Sequence, residues 1–223
     1  MIMLQAPRSW CTALDCPPPS ELLFRNMSSV IKSVTTREGL RALAHPTRLD
    51  LLDLLRVHSA LTASQCGALL GLSPKTCSYH LRVLAGQDLI EPADVQGATG
   101  RERHWQRASW ENDVPLEDTP TDDPELDEAH GQFMHVRLQH DHRLLQKFVT
   151  AHSNSQAGWK PAVTLYSRTV LMSPDELYAW GVEVASITRE HVRRAEQQAS
   201  KVQRPVRLML YGFPQDMAEE RRS

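Results

Sequence analysis

The run from Leu61 to Leu84 leaves this chain fewer folding options than any other stretch. Thr62 followed three residues later by Gln65 is a capping box, in which each side chain satisfies the other's backbone N–H and a helix starts. Gly71 stands where that helix stops, since glycine enters the left-handed conformation of a helix end without steric cost. Ser73-Pro74 then supplies a cap and a first helical residue whose missing N–H costs no hydrogen bond. The result is two short helices joined by a turn of a few residues. On the second, Cys77, Leu81 and Leu84 fall at i, i+4 and i+7 and form a core face. Lys75, Thr76, Ser78, Tyr79 and Arg82 occupy the other side.

The flanking segments supply what such a pair packs against. Thr35 and Glu38 have capping-box spacing ahead of Leu40, Leu43 and Ala44, and Pro46 ends that short helix. Pro46 also opens the next helix, whose Leu49, Leu51, Leu52, Leu54 and Leu55 require burial. Beyond Gly86, Leu89–Val95 and His104–Ala108 have strand character and are separated by the Gly-containing stretch Gln96–Arg103, the pattern of a β-hairpin wing. Asp123-Pro124 caps a long helix to about His152, with Leu126, Ala129, Phe133, Val136, Leu144 and Phe148 on one side. Val163–Met172 and Val206–Leu210 are expected strands. Between them Ser173-Pro174-Asp175-Glu176 starts a helix striped by Leu177, Trp180, Gly181, Val184 and Ile187. The expected fold is mainly α with small β: a winged helix-turn-helix domain followed by a C-terminal α+β domain of a long helix and a strand-helix-strand unit.

Composition sets the class. At 41% hydrophobic and 23% charged residues, the 223-residue chain resembles an average soluble globular protein, and no stretch has the roughly 18–20 apolar residues of a membrane helix. A cytoplasmic location is expected. The four cysteines, at 11, 16, 66 and 77, lack CxxC spacing and read as reduced thiols. The net charge of −2 hides a block pattern, because residues 113–128 hold eight acids and no base while 29–112 carry ten basic and eight acidic side chains. We therefore divide the chain into a loosely ordered tail at 1–28, within which Met27 is an alternative start, a winged helix-turn-helix at 29–112, an acidic linker at 113–123 and a C-terminal domain at 124–223.

The second helix of a helix-turn-helix enters the DNA major groove. Ser73 and Lys75, with the wing residues Arg101 and Arg103, suit phosphate contacts that fix register; Thr76, Ser78, Tyr79 and Arg82 suit base edges. Leu43-Ala44-His45-Pro46-Thr47-Arg48-Leu49, Leu70-Gly71-Leu72-Ser73, Ser78-Tyr79-His80-Leu81-Arg82-Val83-Leu84 and Gly100-Arg101-Glu102-Arg103-His104-Trp105 together resemble the ArsR-type winged helix-turn-helix transcriptional regulators over about residues 35–110. Trp159, Leu171–Leu177 and Val206–Pro214 are similar to the tail of a large branch of such regulators. The resemblance implies a homodimer with paired recognition helices on double-stranded DNA, most commonly a repressor, and a mostly structural His80. It also places Thr62 and Ser64 where the founding members carry metal-sensing thiolates, so those ligands are missing here.

Competing readings are weaker. His130, His135, His140 and His142 are two or five residues apart instead of the three or four that chelation from one helix needs. A metal-responsive site between subunits is the form that reading would take. Cys66 and Cys77 lie on apolar faces and read as packing. Arg48 reads as orienting the first helices. No GxSxG, P-loop, HExxH or GxGxxG is present, so no catalytic, cofactor or metal residue is assigned and an enzyme is not expected. A winged-helix module that binds protein is the other alternative. An unknown small-molecule effector would sit between the Trp180 helix and the closing strands.

Overall fold

The computed structural model describes residues 36–95, 102–108, 122–151, 162–164, 166–197 and 204–215. The N-terminal tail, the hairpin tip with Arg101 and most of the acidic strip lie outside the described residues. In chain order the elements are α1 (Arg37–Leu43), α2 (Pro46–Val57), β1 (Leu61–Thr62), α3 (Ala63–Leu70), α4 (Pro74–Ala85), β2 (Ile90–Ala93), β3 (His104–Arg107), α5 (Pro124–Thr150) and α6 (Pro174–Gln197).

Local chemistry starts most of these helices. His45 caps α2 and Pro46 opens it, with Thr47 N donating to His45 Nδ1 at 3.2 Å. Thr62 and Gln65 form the reciprocal box on α3: Thr62 N donates to Gln65 Oε1 at 2.8 Å, and Gln65 N to Thr62 Oγ1 at 3.2 Å. Ser73 caps α4, and Asp123 caps α5 by accepting from the backbone N–H of Glu125 and Leu126. Ser173 Oγ accepts from Glu176 N while Glu176 Oε2 accepts from Ser173 N, a second capping box, at the start of α6. One cap differs from the expectation. Thr36 caps α1, because its extended backbone (φ −92°, ψ 147°) aims its hydroxyl at Gly39 N; Thr35 lies outside the described residues.

A three-stranded antiparallel sheet of order β1-β3-β2 closes one side of the helices. β1, which the sequence reading merged into the cap of α3, pairs Leu61 with Trp105 and Thr62 with His104. β2 and β3 form the expected hairpin, Ile90 opposite Arg107 and Ala93 opposite His104. Pro92 is tolerated because β2 is an edge strand and Pro has no N–H to give a ladder.

One core runs through all of this. Leu40 and Leu43 of α1, Leu51 and Leu55 of α2, Cys66 of α3 and Cys77, Leu81 and Leu84 of α4 are buried together with Leu89, Ile90 and Trp105. Ala129 and Phe133 of α5 belong to the same cluster, so the long helix packs directly on the helix-turn-helix. Fully burying each Leu or Phe side chain contributes about 1.5–3 kcal/mol, which is why α4 is seated firmly enough to present its other face.

The C-terminal expectation is corrected in part. α6 forms, but among the described residues neither 163–172 nor 206–210 belongs to a strand. Alternating apolar residues make a strand only where a neighbour takes up the backbone hydrogen bonds, and here Val206, Leu208 and Leu210 are exposed. The stripe on α6 is also rotated slightly: Leu177, Trp180, Gly181 and Val184 are half-buried, whereas Ile187 is exposed and Thr188 takes its place. Segment 204–215 lies against this helix. A Cβ on Gly212 would come within 2.8 Å of the Trp180 ring and 3.0 Å of Leu177, so the backbone packs closely on α6 at that point.

Candidate nucleic-acid interface

The turn between α3 and α4 is built by two glycines with different tasks. Gly71 holds the left-handed conformation (φ 69°) that ends α3. Gly67 lets the turn close, since a Cβ there would sit 2.7 Å from the Leu72 carbonyl oxygen. Leu72 N donates to Gly67 O at 3.0 Å across the same contact.

α4 then divides by face. Cys77, His80, Leu81 and Leu84 point inward. Lys75, Thr76, Tyr79 and Arg82 are exposed and Ser78 is half-buried; Tyr79 keeps 59% of its surface. Residues 54–87 contain no Asp or Glu, so no acid close in sequence offsets the cations on this face. The side chains are not equally free. Ser73 Oγ accepts from Thr76 N at 3.0 Å and lies 2.7 Å from Thr76 Oγ1, which ties both hydroxyls to the cap. Arg82 Nε donates to the Ser78 carbonyl at 3.2 Å and so keeps its terminal nitrogens outward. Lys75 and Tyr79 show no such tether.

At the hairpin, Arg103 is exposed and its guanidinium lies 5.4 Å from the Trp105 ring centre, a stacking that limits its rotamers. Ser64 donates to Glu102 at 2.6 Å and thereby joins α3 to the loop end of the hairpin; that hydrogen bond holds Glu102 below the usual carboxylate range. Arg101 lies outside the described residues. The structure thus brings Ser73, Lys75, Thr76, Ser78, Tyr79 and Arg82 onto one helix surface, with Arg103 on the adjoining hairpin.

Two neighbouring clusters were not singled out from sequence. At the base of α4, the His45 and His80 rings lie 4.5 Å apart, His80 is almost fully buried, and Arg48 Nη2 donates to the Arg41 carbonyl at 3.2 Å. That bond ties α2 to α1, the orienting role expected of Arg48. On the far side, Asp53 of α2 meets His140 and Asp141 of α5 and Arg207 and Tyr211 of the C-terminal segment. His140 Nε2 lies 2.9 Å from Asp53, Arg207 reaches both Asp53 (3.0 Å) and Asp141 (2.9 Å), and Tyr211 OH donates to Asp141 at 2.7 Å. Arg143 donates to Asp50 at 2.8 Å at its edge. His140 is therefore spent on a carboxylate, and among the described residues no three His, Cys, Asp or Glu side chains gather as metal ligands would.

The thiols of Cys66 and Cys77 sit in the core. Burial pushes Cys66 up to about 11 and raises Cys77 as well, which keeps both protonated and unreactive.

Residues 43–93 match the family model of a helix-turn-helix domain. The chain carries a helix-turn-helix domain. That domain suggests a DNA-binding regulator, and it spans α2 to β2 with the α4 surface at its centre. Comparison with curated proteins finds no match. Among solved structures the chain is similar to RV1404 from Mycobacterium tuberculosis at 13% identity, over 68% of this chain and 99% of that one; the TM-score of 0.27 is too low to bear on the fold. Among the described residues no helix is long and apolar enough to cross a membrane.

Proposed function

We propose that this chain is a sequence-specific transcriptional regulator of the ArsR type, a homodimeric repressor that inserts α4 of each protomer into successive major grooves. The observation that carries the reading is the α4 surface: exposed Lys75, Thr76, Tyr79 and Arg82 on a helix fixed by its buried face, in a stretch without acids. Lys75, Ser73 and the wing residues Arg101 and Arg103 hold phosphates, while Thr76, Ser78, Tyr79 and Arg82 discriminate bases. Ser73 and Thr76 meet the DNA with hydroxyls already engaged in the cap, so Tyr79 and Arg82 carry most of the base discrimination.

The homodimer is supported by α5. Its one face is in the core, yet Leu138, Leu145 and Val149 stand exposed on another, with Leu138 and Leu145 one heptad apart. A two-fold pairing along that stripe buries it and duplicates α4, as a dimer reading two half-sites requires. The protein is not an enzyme in this reading; the C-terminal unit serves dimerisation and effector response.

Fluorescence anisotropy against the duplex upstream of the chain's own reading frame, with a random duplex alongside at several salt concentrations, tests the proposal. A steep salt slope and at least a roughly thousandfold preference for the upstream duplex support it. Absence of binding to either duplex at low salt overturns it.

A further inference from the structure

Three basic side chains converge at the base of α4, and among the described residues none of them has a counter-charge. His45 comes from the turn that caps α2, Arg48 from the first turn of α2, and His80 from the inner face of α4. The imidazoles are 4.5 Å apart and tilted by 42°, and Tyr79 lies edge-on to His80 at 5.1 Å. Two of their nitrogens are buried and unpartnered, Arg48 Nε and His80 Nδ1, and His80 as a whole is only 8% exposed. Among the described residues no carboxylate pairs with any of the three.

This arrangement is unfavourable for a protein with nothing bound. Buried N–H groups nearly always find an acceptor, and among the described residues the Arg48 Nε–H has none. Burial lowers His45, helped by the Arg48 charge; burial lowers His80, helped by His45 and Arg48; burial lowers Arg48, and only Tyr79 acts the other way. What the cluster lacks is a compact group that only accepts hydrogen bonds and carries negative charge.

We infer that His45, Arg48 and His80 form a phosphate site, filled by one backbone phosphate of the DNA strand flanking the groove that α4 occupies. The inference rests on the reading of α4 as a DNA-reading helix. Tyr79 connects the two, since it is exposed on that helix and its ring lies edge-on to His80. Arg48 supplies the standing positive charge. His45 keeps Nδ1 as acceptor for Thr47 N, so its other nitrogen bears the proton. Burial first, and the neighbouring His45 and Arg48 after it, disfavour a charged His80; the phosphate supplies the missing counter-charge, and His80 takes a proton as the anion arrives. Such a contact positions the protein on the duplex and carries no sequence information.

The test uses the full chain and a random-sequence duplex beside the upstream duplex. Arg48→Gln is expected to lower the slope of log K against log salt by about 0.9, the release for one phosphate, on both duplexes alike. Arg48→Lys restores the slope, because a phosphate needs the charge where the bond to Arg41 needs the fork. Calorimetric titration of the wild-type chain near pH 7, in two buffers of different ionisation enthalpy, is expected to show uptake of up to about one proton per protomer. His80→Gln abolishes the uptake, and the wild-type measurement stands even where that variant fails to fold. An unchanged Arg48→Gln slope overturns the site, as does a loss confined to the upstream duplex or binding without proton uptake. A wild-type chain that binds no DNA at low salt overturns the DNA reading and this site together, whereas normal binding with an unchanged Arg48→Gln slope overturns the site alone.

Discussion

Arg207→Met removes the cation that joins the C-terminal segment to the helix-turn-helix while keeping most of the apolar stem. In the wild type the Arg207 guanidinium lies 3.0 Å from Asp53 and 2.9 Å from Asp141, and the Asp141 side chain is only 5% exposed. Breaking a fully buried pair by deleting one partner costs about 3–5 kcal/mol, mostly the penalty of the charge left behind. Two features reduce that here. Asp141 retains Arg137 at 3.1 Å and Tyr211 at 2.7 Å, and Asp53 is one-third exposed. We therefore expect a loss of about 2 kcal/mol, or roughly 4–8 °C in Tm for a chain of this size. The acid limb gives an independent reading. Burial pushes Asp53 up, but the hydrogen bond from His140 and the charge of Arg207 outweigh it and hold Asp53 below the usual carboxylate range. A depressed carboxylate adds stability that is whole above about pH 4 and lost as pH falls through the folded value. The variant should thus lose less stability on acidification than the wild type. Urea unfolding followed by far-ultraviolet circular dichroism at neutral and acid pH measures both effects, and a double-mutant cycle with Asp141→Asn isolates the pair. An unchanged midpoint for Arg207→Met at neutral pH would refute the reasoning, because the cluster would then be solvated and the segment held by other contacts.

Gly67→Ala places a methyl group 2.7 Å from the Leu72 carbonyl oxygen, backbone against backbone, so the turn must open; a destabilisation of about 1–3 kcal/mol is expected in thermal melts. Cys66 and Cys77 should resist iodoacetamide at neutral pH in the folded chain and react once urea unfolds it, with mass mapping to separate them from Cys11 and Cys16; labelling of either in the native state contradicts their burial. Burial and Asp141 push the Tyr211 phenol up to about 12. Since the unfolded value is about 10, its contribution to stability is intact below that pH and lost as pH rises through the folded value. Phenolate absorbance of the wild type against Tyr211→Phe checks this, and a titration common to all tyrosines would contradict it.

How far the sequence carries depends on the range of the interaction that decides each feature. The caps at Thr62, Ser73, Asp123 and Ser173 were legible because a side chain and a backbone N–H two or three residues away settle them without any tertiary contact. The two faces of α4 were legible for the same reason: period alone separates Cys77, Leu81 and Leu84 from Lys75, Tyr79 and Arg82. The strands at 163–172 and 206–210 were misjudged because alternation reports only half of a strand; the other half is a neighbour, which the described residues do not supply. The ionic cluster was missed for a third reason. Its bonds join residues 66 to 154 positions apart, and an apolar stripe gives no weight to the polar residues within it. Yet the stripe itself held the signal. His140 follows Phe133 by seven residues and Asp141 follows Arg137 by four, so a helix that buries Phe133 also buries the charged pair or ends its contact before them. Because α5 continues to pack on α2 past Phe133, those charges have to meet others, and α2 offers Asp50 and Asp53. Three acids beside one imidazole leave negative charge in excess, which Arg137, Arg143 and Arg207 offset, Arg207 coming from the segment lying on Trp180. Charge balance on a buried helix face thus ties the segment around Arg207 to α2, on which α4 packs.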